Sequence, residues 1–168
     1  YVRGMVEEYV MGLHYTDEAV KNFIEKIDSI NKPITFVFYG DHLPGIYWDT
    51  NNNNILHQTD YFIYSNKYAR RHLGRRIYKQ YDLVAPTDFM SLVQKQTLTK
   101  TTPYSALLEK VLDELPVITT KAAAGSKEES DAAMINDNGE LIKYDDLSSS
   151  QKELYNDYKL VQYDMTAG

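Results

Sequence analysis

Ile34-Thr35-Phe36-Val37-Phe38-Tyr39-Gly40-Asp41-His42-Leu43-Pro44-Gly45 carries an apolar run straight into a carboxylate and an imidazole set side by side. The run 34–39 has no charge and is rich in β-branched and aromatic side chains. It predicts a central strand covered on both faces. Asp41 and His42 then fall where strand hands over to loop, at the carboxyl edge of a sheet, where α/β enzymes keep their chemistry. One carboxylate oxygen and one imidazole nitrogen suit a divalent ion such as Mn²⁺ or Zn²⁺. Neighbouring side chains of a regular strand face opposite ways, so both reach one ion only where the chain bends. Gly40 permits that bend, and Pro44 holds Leu43 extended after it. In the competing reading Asp41 caps a turn and His42 packs locally. The strand before the pair and the Gly and Pro that bracket it favour the ligand reading.

Upstream, the apolar positions Met5, Val6, Tyr9, Val10, Leu13, Ala19, Val20, Phe23, Ile24 and Ile27 have helical spacing. Whether Thr16-Asp17 restarts a second helix is left open by the pattern. Asn31-Lys32-Pro33 ends the helical stretch. Downstream, four consecutive asparagines, Asn51 to Asn54, predict a loop. Residues 60–65 read as a second strand. Pro86 is placed to open a helix through about Gln96, and Pro103 to open another, with Pro116 ending it. Lys121 to Asp131 is small, polar and charged, and reads as a surface loop or linker. Asn138-Gly139 between Met134-Ile135 and Leu141-Ile142 signals a hairpin turn. Ser150-Gln151-Lys152-Glu153 has capping-box spacing and predicts a short helix through about Tyr158, with a last strand over 160–164. Strand, loop and helix alternate without an internal repeat, which argues for α/β.

Composition narrows the partners. The 168 residues carry a formal charge of −6, against the basic surface that a general nucleic-acid binder needs. Lys67-Tyr68-Ala69-Arg70-Arg71-His72 with Arg75-Arg76 is a local basic cluster, read as a solvated helix face rather than a phosphate or membrane patch. The sequence has no cysteine, so no disulfide framework and no thiolate metal site is possible. No signal peptide and no apolar stretch of about 18 residues stands in it. The first residue is not Met, and Tyr1-Val2-Arg3-Gly4 runs straight into the helical pattern, as expected of a piece of a longer polypeptide.

Tyr39-Gly40-Asp41-His42-Leu43-Pro44 at the end of its strand resembles the late metal-binding motif of the sulfatase family within the alkaline phosphatase superfamily. The branch it is most similar to is that of lipoteichoic acid synthases and phosphoglycerol transferases. The helical run Leu13 to Ile24 resembles the family's helix leading into that strand. His57-Gln58-Thr59-Asp60-Tyr61-Phe62-Ile63-Tyr64-Ser65-Asn66 resembles its next strand, with Asp60 where family members usually have a proline. The resemblance implies the C-terminal portion of an α/β/α sandwich. Residues 1–118 would belong to the catalytic domain, 119–132 to a flexible loop or linker, and 133–168 to a small hairpin-helix-strand appendage.

It further implies a single Mn²⁺ or Zn²⁺ that activates a threonine (formylglycine in true sulfatases) against a phosphate or sulfate ester. Asp41 and His42 are then two of the metal ligands, and the nucleophile and other ligands lie upstream of this chain. His57 would contact the substrate's anionic group, its alternative being an exposed loop histidine. Trp48, with Tyr47, would form an aromatic wall over a glycerol or sugar, its alternative being plain packing. His14 is read as a partly buried structural histidine and His72 as a surface one. Thr16 and Thr59 lack a neighbouring base and are not nucleophiles. The implied substrate is a phospholipid or glycerol-phosphate polymer at the extracellular face of a bacterial membrane. The implied protein is a monomer, anchored through amino-terminal helices. A different class of reading is a non-catalytic module that binds surface polymer through Tyr47, Trp48 and the Arg70–Arg76 cluster.

Overall fold

One helix, α1 (Val2–Asp28), takes up the first sixth of the chain without a break. Thr16 does not restart it: its hydroxyl donates to the Gly12 carbonyl one turn back (3.0 Å), so the residue is absorbed into the helix. The structure is a computed structural model that describes residues 2–46, 53–73, 81–126 and 132–167. Its contacts group into two units, residues 1–51 with 59–75, and residues 52–58 with 76–168.

In the first unit β1 (Thr35–Tyr39) pairs antiparallel with β2 (Tyr61–Ser65), from Thr35 opposite Ser65 to Tyr39 opposite Tyr61. Among the described residues these two strands pair only with each other. Period-two alternation puts Phe36, Phe38, Phe62 and Tyr64 on one face. Phe36 meets Phe62 edge-on at 5.6 Å, Phe38 stacks on Phe62 at 5.2 Å, and Phe23 of α1 closes on Phe36 at 5.0 Å. The strand is thus not covered on both faces as its apolar run predicts. Thr35 to Phe38 are half-buried and Tyr39 is exposed, because α1 packs on one face of a two-stranded ribbon. The stripe of α1 likewise buries only near its end, at Ile27, while Val10 and Leu13 stay at least half exposed.

Asn66, wholly buried, fastens this unit together. Its side-chain amide donates to the carbonyls of Ile27 (2.8 Å) and Lys32 (2.9 Å), and its side-chain oxygen accepts from the backbone N–H of Ile34 (3.2 Å). The same oxygen accepts from Ala69 N–H (3.0 Å) and so caps α3 (Lys67–His72). One side chain joins the end of α1, the entry to β1 and the start of α3.

In the second unit Asn53–Leu56 form a short helix, α2, where a loop is predicted; Asn51 and Asn52 lie outside the described residues. The local turn preference of asparagine yields to packing of α2 against α6 (Lys121–Ala124). Pro86 opens a 3₁₀ turn that runs into α4 (Phe89–Thr97), and Leu98 closes α4 at φ 59°, in the left-handed region. Thr102 and Ser105 form the reciprocal cap of α5 (Pro103–Glu114). Lys95 of α4 bridges to Glu109 (2.8 Å) and Asp113 (3.1 Å) of α5. Tyr81 donates its hydroxyl to the same Asp113, and burial together with that acceptor pushes its pKa up to about 12.

A three-stranded antiparallel sheet follows, in the order β3 (Val117–Thr120), β4 (Ala132–Ile135), β5 (Leu141–Ile142). The end of β3 and α6 occupy residues 119–124 of the stretch read as linker; residues 127–131 lie outside the described residues. The Asn138-Gly139 turn forms as expected, with Gly139 at φ 77° and the Asn136 side chain accepting from Asn138 and Glu140 N–H. The last helix, α7 (Ser149–Ala167), is 19 residues long and replaces both the short helix and the strand predicted over 160–164. Its capping box lies at Ser148 and Gln151, two residues before the predicted one. Val111, Leu115 and Leu154 form the buried cluster between α5 and α7, with Leu107, Ile118, Tyr155 and Tyr158 packed around it.

Candidate metal site at the end of β1

The chain leaves the ladder after Tyr39 and runs through Gly40 into the acidic-imidazole pair. His42 donates its Nδ1–H to Asp41 Oδ1 at 2.7 Å, and the two side chains are 80% and 81% exposed. At that exposure the contact contributes little to stability. Its chemical effect is to fix the imidazole: with Nδ1 protonated toward the carboxylate, Nε2 presents its lone pair outward. A carboxylate oxygen and an imidazole nitrogen from adjacent residues fit a divalent ion as two donors. Among the described residues no group of three or more His, Cys, Asp or Glu gathers for a metal ion.

Gly40 does not earn its place through a special backbone angle. Among the described residues the glycines at positive φ are Gly125 and Gly139. What distinguishes Gly40 is crowding: a Cβ there would come within 2.9 Å of Thr59 Oγ1 and 3.0 Å of its Cγ2.

The remaining candidates fall elsewhere. His57 is exposed, follows α2, and belongs to the second unit. Trp48 and Tyr47 lie outside the described residues, as do Arg75 and Arg76. His14 is not the partly buried histidine expected. Its side chain is 62% exposed and faces Glu18 at 3.8 Å, because that part of α1 packs on nothing described. His72 is a surface residue as read, its Nδ1 bonded to the Tyr68 carbonyl and its ring stacked on Tyr68 at 3.9 Å. The basic helix α3 is partly engaged: Lys67 pairs with Asp28 at 3.6 Å, and Arg70 lies over the Tyr64 ring. Thr59 carries no signal in the sequence that sets it beside Gly40; only the strand pairing reveals it.

A sulfatase family profile matches residues 3–93, more than half of the chain and including both strands and the Asp41-His42 pair. The chain belongs to the sulfatase family. Among solved structures, phosphoglycerol transferase GacH of Streptococcus pyogenes, determined with sn-glycerol-1-phosphate, is 33% identical over 89% of this chain, with a TM-score of 0.57. The chain spans 31% of the length of that structure's chain. No curated protein matches significantly. The mixed α/β arrangement is thus part of an alkaline phosphatase-like fold. Among the described residues no helix of this sulfatase-family chain is long and apolar enough to cross a membrane.

Proposed function

We propose that the chain supplies the late metal ligands of a phosphoglycerol transferase, with Asp41 and His42 holding a divalent ion, Mn²⁺ or Zn²⁺. One observation carries the reading. The carboxylate-imidazole pair sits at the free end of β1 in a chain 33% identical to a phosphoglycerol transferase over nearly all its length. That identity supports transfer of phosphoglycerol over cleavage of a sulfate ester. The bound ion would supply charge neutralisation at the oxygens of the phosphodiester. Within the chain, Asp41 fixes the ring of His42 and offers its own oxygen, and His42 offers Nε2. In this reading the nucleophile and the remaining ligands come from the part of the family domain that this chain does not span. The substrate is a phospholipid or glycerol-phosphate polymer at the outer face of a bacterial membrane, with His57 and Trp48 as substrate contacts.

Two donors alone make a weak site, so the 168-residue chain by itself is expected to bind Mn²⁺ at low-millimolar affinity or not at all, and to turn over no substrate. The test is calorimetric Mn²⁺ titration of the complete family domain, wild type against Asp41→Ala. Loss of one ligand should weaken binding by well over about tenfold, the loss typical of removing a mere supporting group. Unchanged affinity would sink the ligand assignment, and tight stoichiometric binding by the isolated chain would contradict the partial site.

A further inference from the structure

Thr59 leaves no room for a side chain at residue 40, at the point where the Asp41-His42 pair begins. The last paired residues are Tyr39 and Tyr61. Continuing that register one and two steps sets Asp60 across from Gly40 and Thr59 across from Asp41. A Cβ on residue 40 would meet Thr59 Oγ1 at 2.9 Å, Cγ2 at 3.0 Å and Cβ at 3.3 Å. Rotating Thr59 about its first side-chain bond moves the first two atoms, and puts a hydrogen in one of their places, but leaves the third where it is. Any side chain at residue 40 would therefore press on the β-branched side chain of Thr59, and Gly40 is glycine for want of room. A β-branched side chain has few rotamers to escape into, which makes it a stiff stop.

We propose that Thr59 is the positioning residue of the Asp41-His42 pair. Seated against Gly40, it fixes the direction in which the chain leaves β1 and so keeps both donors on one side. The proposal rests on the metal-ligand reading above for its consequence, but not for its geometry. Thr59 acts through shape, and its hydroxyl is dispensable. Thr59→Val keeps the shape and drops the hydroxyl; Thr59→Gly removes the stop. Gly40→Ala overfills the gap, and Thr59→Gly in the same chain reopens it.

The sequence has only four histidines, so their ring resonances can be assigned and followed by NMR in the metal-free chain. Gly40→Ala and Thr59→Gly should each displace the His42 resonances while leaving those of His14 and His72 in place. The double variant should return His42 toward its wild-type position relative to Gly40→Ala, and Thr59→Val should match wild type. A Mn²⁺ titration followed by paramagnetic broadening adds the functional side. The concentration that half-broadens His42 should rise by about tenfold in Gly40→Ala, the effect of losing a supporting group around a ligand, and fall back in the double variant. A double variant as disturbed as Gly40→Ala overturns the proposal, as does Thr59→Val behaving like Thr59→Gly. Should Gly40→Ala fail to fold, the Gly and Val variants at position 59 decide between them. If millimolar Mn²⁺ broadens no histidine even in wild type, the metal reading rests on the titration of the complete family domain, and the metal-free shifts decide the role of Thr59.

Discussion

Asp28 shows how one carboxylate at a helix end organises its neighbours. It accepts from the Tyr64 hydroxyl (2.9 Å) on β2 and from the backbone N–H of Lys67 (2.9 Å) at the start of α3. Desolvation acts to raise its pKa, but those two hydrogen bonds and the charges of Lys67 and Arg70 outweigh it, and the carboxyl is held below the ordinary aspartate value of 3.8. The folded state therefore binds this proton less readily than the unfolded chain. The stability it contributes is complete above the unfolded value and is lost as pH falls through the lower, folded one. Asp28→Asn should lower the melting temperature at pH 5, and its deficit against wild type should shrink steadily below pH 4. A deficit independent of pH would remove Asp28 from the acid transition. At this same scale the candidate site was half legible. Asp41 and His42 announce themselves because strand, glycine and proline lie next to them in sequence. Thr59 does not, because its contact with Gly40 arises from strand pairing across 19 positions of chain.

At the scale of elements, α5 and α7 depend on each other through few side chains. Leu154 is 6% exposed in a helix that otherwise buries little, and it closes on Val111 and Leu115. Leu154→Ala should cost about 2–5 kcal/mol in urea-induced unfolding, since the cavity left by a buried leucine fills only in part. A loss under about 1 kcal/mol would mean that this cluster repacks freely. Three local signals hold. Pro86, Pro103 and Asn138-Gly139 set backbone angles by themselves, and each stands at the helix start or turn it predicts. Signals failed where tertiary pairing decides. Val117-Ile118-Thr119-Thr120 becomes a strand because β4 lies beside it, from Val117 opposite Ile135 to Thr120 opposite Ala132. Leu160-Val161-Gln162-Tyr163-Asp164 has strand propensity, yet it continues α7, where each added residue gains a backbone hydrogen bond without a new nucleus. Thr16-Asp17, where the pattern leaves a second helix start open, is absorbed into α1 for the same reason.

For the whole molecule, contacts group into two units, and the chain spans 31% of the related transferase structure's chain. The ribbon of β1 and β2 has a further consequence, for the behaviour of the chain in a test tube. The window Ile34 to Tyr39 is uncharged, free of proline and glycine, and strongly β-forming, and its strand has no described neighbour on one side. Such an edge is a template for identical strands from other molecules, and the window 34–39 itself holds neither a lysine nor a bulge. At raised concentration and temperature the isolated chain should therefore form thioflavin-positive aggregates whose onset shortens with protein concentration, while dilute, cool samples stay monomeric. Val37→Lys, which sets a charge in the middle of that edge, should delay their appearance. Sedimentation and dye binding across a concentration series would check this, and a monomer that persists at every concentration would refute it. A chemist preparing the chain would then choose low concentration and low temperature, for the strand that carries Asp41 and His42 is also its weak point as a colloid.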